Sequence, residues 1–335
     1  MDENLLTIVQ NNAQKQPAWL QKKRSLAVML QKRFALAEQQ QKWLTQWQQP
    51  ELMTTVEDSY LIHEGKDYVA LPLLMAVGKY PELLQENLME KAVRWQDSQL
   101  NAIHLALNDA GQFVYVPDNT TLNEPLKLNL TTTSCNPHNL IIVGAGAKVS
   151  IEEISNYKSE QPIYAATEIL IGTGAAVDFY QTAHYQSSLV RQATHSYQAR
   201  QSVLNLTATV PESKQGYSSF YSFLDGNDSH WNVQLAANVK EDQQQKVTTQ
   251  VDGYGMNTNA QVAEWGWTSN NSQLDWGKLT TVDDEPLELH QDIVTGSAEK
   301  VTVNDQQNAG LKTAAAFFKQ YLPQDSWLSS RMGLQ

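Results

Sequence analysis

The chain has one cysteine, Cys135, in 335 residues. That excludes a disulfide within the chain and any metal or cluster site built only from its own thiolates. Positive charge is also scarce: 24 Lys and Arg stand against 36 Asp and Glu, a net charge of −12. Phosphate-rich partners are held by clustered Lys and Arg, so neither nucleic acid nor an anionic membrane is an expected partner. No segment approaches the ~20 uninterrupted apolar residues of a membrane span. The start, Met1-Asp2-Glu3, has no basic stretch leading into an apolar run, so a cytoplasmic chain in a reducing compartment is expected. The sequence also lacks H-E-x-x-H, G-x-S-x-G and P-loop signatures, which removes the commonest zinc-protease, serine-hydrolase and nucleotide-binding readings.

What is present suits a globular protein. Hydrophobic residues make up 41% and charged residues 18%, enough for one large β-rich domain or two ordinary ones. From Leu5 to Trp47 the apolar residues recur at intervals of three and four, among them Leu20, Leu26, Leu30, Phe34, Leu44 and Trp47. This predicts two or three amphipathic helices, with Pro17 in a first turn and Pro50 near an end. The basic cluster Lys22-Lys23-Arg24 falls on one of these helices as a solvated or partner-facing side. A second helical stretch is expected from about Leu83 to Leu107, its last helix capped by Asp97 or Ser98 and carrying Leu100, Ile103, His104 and Leu107.

At Asp109-Ala110-Gly111 the hydrophobic period drops from about 3.6 to 2, and short strands follow one another to about Leu289. Strand density alone suits a sandwich, a barrel or a solenoid. One internal echo favours the solenoid. Leu140-Ile-Ile-Val-Gly-Ala-Gly-Ala-Lys-Val-Ser-Ile151 is repeated in form by Glu168-Ile-Leu-Ile-Gly-Thr-Gly-Ala-Ala-Val-Asp-Phe179. Strand, Gly-x-Gly-Ala turn and strand recur at the spacing of one coil, each unit with an apolar face that only neighbours cover.

The candidate chemical sites each have a plainer explanation. Gly144-x-Gly146 and Gly172-x-Gly174 lack the third glycine and following helix of a dinucleotide loop, and read as tight corners between strands. Cys135-Asn-Pro-His138 spaces a thiol and an imidazole as two metal ligands, but two ligands do not close a site, and the Pro137 context suggests a surface loop. Glu288, His290 and Asp292 alternate along one strand face and form a candidate metal-ligand set, a pattern that a solvated face of a half-buried strand also gives. His184, His195 and His230 lie in or beside strands. Trp265, Trp267 and Trp276 are a candidate aromatic surface for carbohydrate or protein, which buried packing would equally produce.

The order of these parts is informative. The chain resembles the SufB/SufD family, and within it the SufD branch. The resemblance rests on Gln16-Pro17-Ala18-Trp19-Leu20 and the following basic helix, Tyr80-Pro81-Glu82-Leu83-Leu84, Leu100 to Leu107, Gly111-Gln-Phe-Val-Tyr-Val-Pro117, Glu124-Pro125-Leu126, His138 to Val143 and Ile171 to Gln181. It implies a mainly β chain: a right-handed parallel β-helix over 109–305, a helical N-terminal region over 1–108 and a short helical docking segment over 306–335. It further implies a non-enzymatic scaffold that pairs with a SufB-like subunit and contacts a SufC-like ATPase. An iron–sulfur cluster would be held transiently by the complex, with no cofactor firmly bound by this chain alone. A homodimer of the isolated chain stays open. Leu311, Phe317, Phe318, Tyr321 and Trp327 are then the expected partner-facing residues. The chain departs from the family pattern at a usual His-rich strand, where it reads Lys246-Val-Thr-Thr-Gln-Val251, and it has no Cys-x-His-Gly-Ala-Thr motif near its end. The alternative from another class is a carbohydrate-binding or carbohydrate-active β protein using the tryptophans with Glu288 and Asp292.

Overall fold

The computed structural model describes residues 2–13, 16–36, 41, 58–268, 271–281, 287–297 and 301–303. Among them, α1 (Asp2–Ala13) and α2 (Ala18–Leu30) open the chain. Three short strands follow, β1 (Asp58–Ser59), β2 (His63–Glu64) and β3 (Val69–Pro72). They interrupt the stretch expected to be helical. Val69-Ala70-Leu71 is an apolar run too short to show a period, and it is paired antiparallel with the first coil. Helices α3 (Leu73–Lys79), α4 (Pro81–Asn87) and α5 (Gln99–Leu107) then lead into the strands. Ser98 caps α5 by accepting the Asn101 N–H at 3.0 Å, which satisfies one of the donors every helix start leaves free. Between α4 and α5 the stretch expected to be helical gives way to an irregular strap, residues 88–98.

From Gln112 the chain winds as a parallel β-solenoid of about six turns. Sheet A runs β1-β5-β7-β9-β11-β13-β15-β17-β18 and sheet B runs β16-β14-β12-β10-β8-β6-β4-β3-β2. These strands are β4 (Gln112–Val116), β5 (Leu126–Thr132), β6 (His138–Val143), β7 (Lys148–Lys158), β8 (Ile163–Ile171), β9 (Ala176–Gln186), β10 (Leu189–Gln198), β11 (Val203–Thr209), β12 (Gln215–Leu224), β13 (His230–Val239), β14 (Gln244–Gly253), β15 (Asn259–Thr268), β16 (Gln273–Trp276), β17 (Glu288–Ser297) and β18 (Val301–Val303). From β4 to β14, each even-numbered strand of sheet B crosses to the next odd-numbered strand of sheet A through a corner. At the corners a single column of residues takes positive φ: Asn119, Gly146, Gly174, Gln201, Asp228 and Asn257. The backbone N–H groups of the first five bond to the next coil in turn, Asn119 to the Ala145 carbonyl at 2.7 Å and Gly174 to the Arg200 carbonyl at 2.8 Å. The two Gly-x-Gly turns are thus strand corners.

Two apolar clusters hold the molecule. One lies inside the coils, between the sheets, and includes Val149, Ile151, Phe179, Leu204, Phe220 and fully buried Trp231. The other lies on the outer face of sheet B, where Phe113, Leu140, Tyr164, Ala166, Leu170 and Ala193 meet Leu20, Ala27, Leu84, Leu100 and Ile103 of the helices. From β4 to β10 sheet B is therefore covered on both faces, which explains why all nine residues of β8 are buried. Among the described residues no helix is long and apolar enough to cross a membrane.

Candidate functional site

The densest group of chemically capable side chains lies where α5, the strap and sheet B meet. His104 sits on α5 with no exposed surface. Its Nδ1 pairs with Asn136 Oδ1 and its Nε2 lies 3.0 Å from His138 Nδ1. His138, on β6, places Nε2 at 2.7 Å from Glu168 Oε1 on β8. Glu168 has no exposed surface and accepts two backbone N–H groups of the strap, Met89 at 2.7 Å and Val93 at 3.2 Å. Met89 holds φ at 55°, the left-handed conformation that turns its N–H toward the carboxylate. The Tyr164 ring lies 4.1 Å from that of His104, and its hydroxyl donates to Asn101 Oδ1 at 2.8 Å.

The electrostatics are those of a closed clasp. Burial, then the neighbouring His138, hold His104 well below the usual imidazole range, so it is neutral at pH 7. His195, on β10, is pushed down to about 3 by burial and Arg191; its Nδ1 lies 3.3 Å from the Ala92 carbonyl of the strap and its Nε2 3.0 Å from Ser219 Oγ. From the helix side, Lys23 donates to the Leu88 carbonyl at 2.5 Å. Arg24 donates to the carbonyls of Ala106, at 3.3 Å, and Asn108 at the end of α5, which otherwise lack partners. With every polar atom of Glu168 engaged and water excluded, the arrangement holds the strap and α5 on the solenoid.

A second polar group runs inside the coils. Gln112 takes Asn139 Oδ1 through its backbone N–H at 2.9 Å. Asn139 donates to Tyr157 and Thr167, Gln181 donates to Glu153 at 3.0 Å and to Thr167 at 3.3 Å, and Gln192 donates to Gln181 at 2.9 Å and accepts from Ser218 at 2.9 Å. Farther along, Glu264 accepts from Thr249 at 3.3 Å and Gln291 at 2.9 Å. Burial raises the carboxyls of Glu153 and Glu264, the latter to about 7. Such a seam is favourable only when its members satisfy one another, and doing so fixes how each coil sits on the next.

The expected site residues are distributed differently from the sequence reading. Cys135 and His138 are buried, not on a surface loop; His138 is committed to Glu168, and burial pushes the Cys135 thiol up to about 12, which keeps it protonated. Trp265 and Trp276 do not share a surface: Trp265 lies on β15 of sheet A, whereas Trp276 lies on β16 of sheet B and packs against the interior cluster. Trp267, half-buried, lies two residues beyond Trp265 on β15, so the three tryptophans do not form one surface. Glu288 is exposed and accepts from Asn259 at 3.2 Å; β17 places His290 beside Gln261 and Asp292 beside Ala263, and the side chains of both lie outside the described residues. Among the described residues no three His, Cys, Asp or Glu side chains are grouped to hold a metal ion. Leu311, Phe317, Phe318, Tyr321 and Trp327 also lie outside the described residues.

Comparison with known proteins matches the solenoid itself. Residues 127–281 fit the family described as SUF system FeS cluster assembly, SufBD core domain. Over those residues the chain is similar to the SufB/SufD family. A curated relative, the iron-sulfur cluster assembly protein SufD of Bacillus subtilis (strain 168), is 20% identical over 212 residues, which cover 61% of this chain and 48% of the relative. The chain thus spans about half the length of this relative. The SufB/SufD match begins within β5 (Leu126–Thr132) and ends just beyond β16, so it takes in most of the interior seam and Glu168, while His104 and the strap lie before it.

Proposed function

We propose that this SufD-like chain is a non-enzymatic scaffold subunit of an iron–sulfur cluster assembly complex, working in the cytoplasm through its surfaces. The observation that carries the reading is the coincidence of the SufBD core match with the coiled part of the chain. The site chemistry supports it: the buried His and Glu side chains are spent on holding elements together, with Glu168 accepting three donors. In this reading the solenoid pairs with a SufB-like subunit, the segment 306–335 contacts a SufC-like ATPase, and the cluster is cargo of the assembled complex. ATP hydrolysis belongs to the ATPase, and the paired solenoids convert its motion into a rearranged interface.

The test is co-expression of the full chain with SufB and SufC homologues, followed by affinity purification through a tag on this chain at low salt. The expected result is recovery of both partners, with the ATPase lost and the SufB homologue kept when 304–335 is removed. Recovery of this chain alone would reject the proposal.

A further inference from the structure

An open cavity of about 180 Å³ lies on the outer face of sheet B, at the starts of β12, β14 and β16. Two rows of side chains border it. Gln215, Gln244 and Gln273 stand in register, and Tyr217, Lys246 and Asp275 form the next row on the same face. Tyr217 packs against the helix cluster, whereas Gln244, Gln273 and Asp275 are exposed. None of these residues belongs to the Glu168 clasp or to the interior seam, and the assembly reading makes no use of them.

The lining is made of amides and one opposed pair of charges. Lys246 Nζ lies 3.6 Å from the Asp275 carboxylate, beyond the roughly 2.7–2.9 Å of a charge-assisted hydrogen bond. The two heads therefore face each other without closing. Gln245, 4% exposed, lines the same cavity. Its Nε2 donates to the Ser213 carbonyl at 2.8 Å and to Ser213 Oγ at 3.1 Å, while its Oε1 has no partner among the described residues. Glycine at position 216 makes room for that oxygen, since a Cβ there would lie 1.7 Å from it. A buried acceptor without a donor is costly, so a ligand that brings a donor is favoured.

These features select a class of ligand. A simple anion would meet Asp275 and a simple cation would meet Lys246, whereas a zwitterion satisfies both. A carboxamide both donates and accepts, as the glutamine column itself does. An apolar cavity of about 150 Å³ holds one benzene, so this space takes a molecule of about six to ten non-hydrogen atoms and is too small for a nucleotide. We infer that the cavity binds a free α-amino acid with a carboxamide side chain, its carboxylate on Lys246, its ammonium on Asp275 and its amide against Gln244 and Gln245. The bound molecule then ties β16 to β14.

Isothermal titration of the full chain with L-glutamine tests this. Saturable binding with a Kd of about 1 mM or tighter is expected. Glutaramate, which lacks the ammonium, and 4-aminobutanamide, which lacks the α-carboxylate, should each bind at least about tenfold more weakly. Lys246→Met and Asp275→Asn should each weaken L-glutamine by about tenfold or more, and both should leave the thermal midpoint of the unliganded chain unchanged, because the pair is at the surface. No saturable heat up to about 20 mM L-glutamine would overturn the inference. So would analogues that bind as well as L-glutamine, or binding that survives both substitutions. The titration contains no partner protein, so its failure leaves the assembly proposal standing.

Discussion

Glu168 shows how single residues decide this architecture. Removing Glu168 takes the buried acceptor away from the Met89 and Val93 N–H groups and from His138, a combined cost of about 3–5 kcal/mol at about 1–3 kcal/mol per orphaned buried group. Glu168→Ala should therefore lower stability in urea by that amount, with early loss of protection in residues 88–98; a cost below about 1 kcal/mol would show that the strap is held by its apolar contacts instead. The buried histidines set the acid side of the stability curve. His104 and His195 both have folded-state values below the unfolded value of about 6.5, so unfolding takes up protons, and stability is full above that value and is lost as pH falls toward about 3 for His195. His195→Gln should remove up to about 1.4 kcal/mol per pH unit of this slope between pH 6 and 4, measured by urea unfolding at each pH. An unchanged slope would place the proton uptake elsewhere. The sequence contained a trace of this site. His104 interrupts the buried stripe of α5, and Glu168 is the one charge in the run Ala165-Ala-Thr-Glu-Ile-Leu-Ile171. What it could not show is that residues 104, 138 and 168, on α5, β6 and β8, meet at one point, because that depends on how the helices lie on sheet B.

The corners are the elements in which the repeat is written most clearly, and only two of them use glycine pairs. Pro117-Asp-Asn-Thr120, Ala199-Arg-Gln-Ser202, Gly226-Asn-Asp-Ser229 and Gly255-Met-Asn-Thr258 make the same turn as Gly144-Ala-Gly-Ala147. Asn and Asp enter the left-handed conformation at modest cost, and Gln201 is held there by the same corner, so the geometry repeats where the letters do not. This is why the period was legible at two coils and hidden at the others. Space around the corner explains what each tolerates: a Cβ at Gly174 would meet nothing within 4 Å, whereas one at Gly111, with φ of 137°, would lie 1.8 Å from the His138 carbonyl oxygen. Gly174→Asn should change stability by less than about 1 kcal/mol, and Gly174→Val should cost about 2 kcal/mol or more, since a β-branched residue is poorly accommodated at positive φ. Equal thermal midpoints for the two variants would mean the corner relaxes out of the left-handed region. The strands β1 to β3, by contrast, were not legible: they are two to four residues long and exist because an edge of each sheet needs a partner.

At the scale of the whole molecule, α5 ends at Leu107 and the first strand of the coils begins at Gln112, and the resemblance to the SufB/SufD family agrees with the match over 127–281. The two parts nevertheless share a core, because Leu100, Ile103 and Leu84 pack with Leu140, Tyr164 and Leu170. In the proposed assembly, the part of sheet B that is buried on both faces and pinned by Glu168 would pass a displacement at the helices to the coils as a rigid body. The central claim is that this chain acts as one subunit of such an assembly. Its most direct measurement is the native mass of the species purified after co-expression with SufB and SufC homologues. The account predicts a species whose mass includes this chain and both partners in fixed ratio, and a peak containing only copies of this chain would contradict it.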